Sequence, residues 1–456
     1  MKSLFSVVCP LFVFLSLCCL TPAFAEDKGF SAKEKEQLRL LLKHVKIEPK
    51  RRRIVIRGLN LQLLNGRGHT HRANGTGNLI LGYDAPRKTP SSRPTSVPTS
   101  LQPRPGCQKL RGSHNLIVGD GHCVSSTGGI VGGHANTLQA PSASVPGGRR
   151  NTVAARYAMI VGGKDNRAAG SHSVISGGAS NETQGDSSSV SGGFNNTARG
   201  HVSSISGGFR NLALGRHSSI SGGFNNIARG HVSSISGGES NLAVGKSSSI
   251  SGGVDNKTRG ESSSVAGGSN NLAQALASHI AGGRKNRVTG AHGSLLGGTG
   301  NLASGAASVI CGGKNNLASN NESSVLGGYS NKALGLSSTI AGGTLNQARG
   351  AHSSIAGGQN NKALGGSSVI AGGYQNTTVG NYSSISGGTS NQTQGVGSSI
   401  LGGEGNRTKG GDSSIVGGRG NKAVADYSSI VGGRRHVTGK AYQSLLGVKT
   451  VFGAVR

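Results

Sequence analysis

The sequence contains no tryptophan, and aromatic residues fill only 4% of its 456 positions. A chain so poor in large rings cannot fill a thick hydrophobic core, which excludes conventional layered packing for most of its length. Acids are scarce as well: 17 Asp and Glu stand against 48 Lys and Arg, for a net charge of +31. That balance attracts polyanions such as lipopolysaccharide or acidic glycans, and it also keeps an extended protein soluble. Nucleic acid is not expected as a partner, because an exported chain with no stacking-aromatic pattern lacks the usual platform for bases. Long apolar runs are missing apart from Leu4 to Leu20, which lies between Lys2 and Ala23-Phe24-Ala25 and reads as a secretory signal peptide over residues 1–25. No later stretch stays apolar for the roughly eighteen residues a membrane helix needs. The expected location is therefore outside the cell or on its outer surface, with the periplasm as the alternative. Of six cysteines, Cys107, Cys123 and Cys311 follow the signal. Cys107 and Cys123 flank the start of a repeat array and are candidates for a disulfide, which leaves Cys311 odd.

Catalytic signatures are also missing. There is no H-E-x-x-H and no G-x-S-x-G. Gly245-Lys246-Ser247 copies the tail of a phosphate-binding loop, but the position of its first glycine holds Ser240. His172, His201, His217 and His231 sit at variable positions, and Asp165, Asp186 and Asp255 do not recur in step as a calcium-binding β-roll would require. The sequence predicts no enzyme, no metal, no cofactor and no small-molecule substrate.

What is abundant is glycine, 80 residues of it, and its placement is periodic. Gly-Gly pairs fall every fifteen residues from Gly132-Gly133 to Gly432-Gly433, twenty-one in all. Two residues before each pair stands a branched aliphatic, starting with Ile130 and Val145 and continuing through Ile160, Ile175, Val190, Ile205, Ile220, Ile235, Ile250, Val265, Ile280, Leu295, Ile310, Val325, Ile340, Ile355, Ile370, Ile385, Ile400 and Ile415 to Ile430, and Leu445 extends the series ahead of the single Gly447. Four residues after each pair's first glycine stands asparagine: Asn136, Asn151, Asn166, Asn181, Asn196, Asn211, Asn226, Asn241, Asn256, Asn271, Asn286, Asn301, Asn316, Asn331, Asn346, Asn361, Asn376, Asn391, Asn406 and Asn421, until His436 breaks the run.

Each unit holds two short alternating runs separated by glycine corners, which is the pattern of strands. In Ser218 to Gly222, the period of two groups Ser218 and Ile220 on one face and Ser219 and Ser221 on the other. Glycine at this density destabilises a helix by about 1 kcal/mol per residue. A fixed fifteen-residue period without insertions specifies an all-β parallel β-solenoid, with one coil per unit and two short strands per coil. The asparagines are expected at coil corners, in a left-handed backbone, with stacked amides bonded as a ladder. One large aliphatic per coil is a thin core. The small outward residues, with Ala281, Leu296, Leu326, Ala356 and Val416 in the same column, therefore suggest sheet-on-sheet packing and a homo-oligomer.

The expected organisation is a signal peptide (1–25), a short capped helix and basic segment (26–53), and irregular β coils (54–125) with a disordered Pro/Ser-rich insert (85–106). The regular solenoid (126–435) and a C-terminal cap (436–456) follow. The helix is predicted from the capping box Ser31-Ala32-Lys33-Glu34 ahead of Leu38, Leu40, Leu41 and Leu42.

The "SSISGG" and "N-x-A-x-G" elements, over roughly residues 126–435, resemble the head domains of YadA-like trimeric autotransporter adhesins. The resemblance implies a left-handed β-roll, a trimer as the favoured assembly, and an adhesive role at a bacterial surface. The units of those heads are typically fourteen residues rather than fifteen, and neither a heptad stalk nor the pattern of a C-terminal barrel occurs in this sequence. The expected function is a secreted or cell-surface structural and adhesive solenoid that contacts polyanionic glycan, lipopolysaccharide or matrix protein. The alternative is a flat-faced binder of an ordered surface, such as ice or a crystalline polysaccharide.

Overall fold

The computed structural model describes residues 31–58, 61–64, 66, 68, 73–82 and 111–447. The chain divides into two compact units, one up to Leu64 and one from Asn65.

In the first unit, Ser31 caps helix α1 (Ala32–His44). The Ser31 hydroxyl accepts from the Glu34 N–H, and the Glu34 carboxylate accepts from the Ser31 N–H at 2.8 Å. Strand β1 (Val45–Glu48) follows, then a 3-10 turn over Pro49–Arg51, then β2 (Arg53–Ile56), which pairs antiparallel with β1. The sequence reading starts the irregular coils at Ile54. The structure instead places Ile54 in this hairpin, because the turn at Pro49 and the left-handed Arg52 (φ 49) reverse the chain just before it.

The second unit is a parallel β-solenoid of about 22 turns, running from β3 (Leu79–Leu81) to a last strand at Ser444–Leu445. Two ladders of parallel strands build it, with strands of two residues in the regular coils and of up to five in the leading ones. In one, Ser204 and Ile205 pair with Ser219 and Ile220; in the other, Leu212 and Ala213 pair with Ile227 and Ala228. The interior between them is a single file. Ile220 and Ala228 are 1% and 0% exposed, and their equivalents repeat this in coil after coil. Where threonine replaces alanine, as at Thr183, Thr378 and Thr408, its buried hydroxyl donates to the serine ten residues back at 2.9 Å. The polar substitution is thereby satisfied within the core.

The leading coils differ from the rest. Ile117 pairs with Val131 and Val131 with Val145, a step of fourteen residues, whereas Met159 pairs with Ser144 fifteen residues back. Val131 is therefore the core residue, fully buried, and Ile130 is 45% exposed. This corrects the assignment of Ile130 to the core column. Both residues are branched aliphatics, so counting back from the glycine pair selects the wrong one where the coil is a residue shorter. The extra residue enters between Val145 and Arg149, which bridges to His134. Upstream, Leu79 pairs with Leu116, so one step of the ladder spans the Pro/Ser-rich insert, which itself lies outside the described residues, as does the signal peptide.

Candidate contact face

Each regular coil turns at three left-handed positions. In the coil that follows Ile220 these are Gly223 (φ 88), Asn225 (φ 55) and Val232 (φ 55). A β-branched residue at positive φ is strained, so the fold tolerates some strain at its corners for the sake of its period. The second glycine of each pair is required on two grounds. Its φ suits glycine, and a Cβ on Gly223 would overlap the carbonyl oxygen of Gly238 in the next coil.

The first glycine behaves differently. Gly222 has no positive φ, and nothing in the chain lies within 4 Å of where its Cβ would be; the same holds from Gly162 to Gly432. Neither backbone conformation nor intrachain contact requires glycine there, yet glycine recurs in every pair.

Asparagine is not the left-handed residue. That position precedes it, as at Arg210 (φ 55) before Asn211, and each asparagine from Asn136 to Asn421 is buried at 0–1% exposure. The ladder is also not amide to amide. The Oδ1 of Asn226 accepts from the backbone N–H of Asn241 at 3.0 Å, and its Nδ2 donates to the carbonyl oxygens of Gly222 at 3.0 Å and Gly238 at 2.9 Å. Each side chain thus satisfies backbone groups at the corner that the strand ladders leave unpaired, such as the Asn241 N–H and the Gly222 carbonyl. At the two ends histidine replaces asparagine. The Nδ1 of His122 accepts from the Asn136 N–H, and the His436 N–H donates to Asn421. Asn181, Asn256 and Asn391 fit the glycosylation pattern, but their side chains are inside this ladder and inaccessible.

The coil has three sides, and charge is excluded from one of them. The six positions from the buried serine through the glycine pair, such as Ser218 to Gly223, hold no Lys, Arg, Asp or Glu in any coil from Ala143 to Gly433. The outward members of this side are half-buried Ser219 and exposed Ser221, with their equivalents. Larger residues occur in the Ser221 column toward the C-terminal half, where Leu296, Leu326 and Leu401 are 51–60% exposed. A shallow groove between coils is lined there by Ser386, Leu401 and Val416, among others. The remaining sides carry the charges, often paired one coil apart: Arg150 with Asp165 at 2.6 Å, Arg167 with Glu182 at 3.2 Å and Lys246 with Glu261 at 3.0 Å. Phe194, Phe209 and Phe224 stack at 5.3 Å along one corner, and Arg210 lies over Phe209.

Lys246 and Ser247, the apparent phosphate-loop tail, sit at a solenoid corner, with Ser247 left-handed. His201, His217 and His231 meet edge to face at 5.8–6.0 Å, and among the described residues no cluster of His, Cys, Asp or Glu is arranged to hold a metal ion. Cys123 is disulfide-bonded; Cys107 lies outside the described residues; Cys311 is a free, half-buried thiol on the uncharged side, next to Gly312. No helix among the described residues is long and apolar enough to cross a membrane. No protein-family model matches the chain, and no curated protein matches it.

Proposed function

We propose that the protein is an exported structural and adhesive rod, similar to the heads of trimeric adhesins, in which copies pack side by side through the uncharged face. The observation that carries this reading is the partition of charge: in a chain of net +31, one side of the coils from Ala143 to Gly433 carries no Lys, Arg, Asp or Glu and is lined by glycine. Copies with this charge repel one another everywhere except across that side. The open first-glycine row points the same way, because a neighbouring backbone at close range would account for a glycine that the chain's own contacts do not require. At about 4.8 Å per coil, twenty coils make a face about 100 Å long and, over four residue steps, roughly 13 Å wide. The resulting area of about 1,300 Å² exceeds the roughly 800 Å² per partner typical of stable interfaces. Only a rod with the same axial rise stays in register over that length. The fourteen-residue leading coils have the unit length typical of adhesin heads, and a trimer is the favoured assembly. The basic outer sides then face glycan, lipopolysaccharide or matrix protein.

Light scattering coupled to chromatography tests this on the chain from Glu26, in enough salt to suppress charge effects. A trimer mass is expected. A monomer would overturn the reading and leave the serine face open to an ordered surface. Binding assays against acidic glycans, lipopolysaccharide and collagen-like matrix then test the outer sides.

A further inference from the structure

The helix–hairpin unit of residues 31–58 has no interior. Among its described residues none is buried, and five of its large aliphatics stand in solvent: Leu42 is 49% and Ile54 65% exposed, with Leu40, Leu41 and Ile56 between 37% and 49%, while Leu38, Val45, Ile47 and Val55 are half-buried. The β1–β2 register sets Val45 opposite Ile56 and Ile47 opposite Ile54, so one face of the hairpin is entirely β-branched aliphatic. A thirteen-residue helix and a two-stranded hairpin are each marginal alone in water, and this unit adds no core to hold them. Its apolar face therefore needs a covering surface.

The charge of the unit indicates which surface. Residues 31–58 contain ten Lys and Arg against three Glu, so 10 − 3 gives +7 in 28 residues, several times denser than the chain average. Two of those glutamates are engaged locally, Glu34 in the helix cap and Glu48 with Lys46 and Arg53. Arg39, Lys43, Lys50, Arg52 and Arg57 are exposed. A second copy of the unit would offer apolar area but would bring +7 against +7. An anionic bilayer surface offers both an apolar zone for leucine and isoleucine and negative headgroups for the cations around them.

We infer that residues 31–58 form an interfacial anchor that seats the rod on an anionic lipid surface, with Leu42 and Ile54 entering the acyl boundary and the basic side chains meeting headgroups. The inference uses none of the residues of the contact face and does not depend on the adhesive reading.

Flotation with lipid vesicles tests it on the whole chain from Glu26, which omits the Leu4–Leu20 stretch that would insert on its own. The probes are phosphatidylcholine vesicles and the same vesicles containing phosphatidylglycerol. Binding is expected to be at least roughly tenfold tighter on the anionic vesicles. The double variant Leu42→Ser, Ile54→Ser keeps every charge and is expected to lose binding by more than about tenfold, whereas Leu42→Phe, Ile54→Phe keeps the apolar area and is expected to bind like the parent. Absence of binding to anionic vesicles would overturn the inference. So would full binding by the serine variant, which would assign the attraction to the rod's overall charge, or loss of binding by the phenylalanine variant. A serine variant that lowers the mass seen by light scattering would instead identify the face as a contact between copies. Failure of the trimer reading shows in the parent's mass alone, so the two outcomes are distinguishable.

Discussion

Within one pair, Gly222 and Gly223 are predicted to respond oppositely to alanine. At Gly223 the backbone has φ 88, and a Cβ would meet the Gly238 carbonyl and the Asn226 amide nitrogen. Forcing an L-residue into a left-handed conformation costs about 1–2 kcal/mol. Moving the Asn226 side chain aside loses its two donated bonds, to Gly222 and Gly238, at about 1 kcal/mol each. Gly223→Ala should therefore destabilise its coil by about 3–4 kcal/mol. Because a solenoid couples only neighbouring coils, the damage should stay local, as a zone of faster amide exchange around residues 208–240 flanked by protected coils. Gly222→Ala has open space and an ordinary φ, so coil stability should hold or rise slightly as the unfolded chain loses freedom. Its effect should fall on assembly, lowering the fraction of associated chain. Urea unfolding with hydrogen exchange measures the first effect and light scattering the second. Equal destabilisation by the two alanines would refute this assignment of the glycine rows.

Asn226→Ala should cost about 2–4 kcal/mol, since it leaves the Asn241 N–H and the Gly222 carbonyl unpartnered in a buried site, while the Gly238 carbonyl keeps the Phe224 N–H; thermal unfolding would show it. His122, at the asparagine position of a leading coil, has its pKa lowered chiefly by burial, opposed by its bond to the Val118 carbonyl. A base with a depressed folded pKa resists protonation when folded, so stability is lost as pH falls below the unfolded value of about 6.5. Amide exchange in residues 111–150 should accelerate on acidification below that point, and His122→Asn should abolish the effect. Reduction of the Cys123 disulfide should loosen the leading coils and leave the protection of residues 160–430 unchanged by the same measurement.

The coil, its two strands and the capped helix could be read from the sequence because each rests on a short period or a local motif: alternation around Ile220, the fifteen-residue recurrence, Ser31 followed by Glu34. The fourteen-residue start was hidden because Ile130 and Val131 are interchangeable to any rule based on hydrophobicity. The role of asparagine was half visible. Its recurrence signals a structural duty, but whether Asn211 or Arg210 takes the left-handed corner depends on backbone geometry that composition does not encode. Charge is scattered along the repeat array, and only winding it into coils brings Ser221, Gly222 and their equivalents into one face with no Lys, Arg, Asp or Glu on it.

The most direct test of that face uses a native probe on it. Cys311 is a free thiol beside Gly312, so a spin label there reports the distance between copies by electron–electron dipolar coupling. Packed sheets lie about 10 Å apart. If copies meet across the uncharged face, the label should give one narrow interchain distance on the order of 10–20 Å, abolished by a charged substitution such as Ser221→Lys with Ser236→Lys. No interchain coupling in the parent protein, or coupling unaffected by those lysines, would contradict the account.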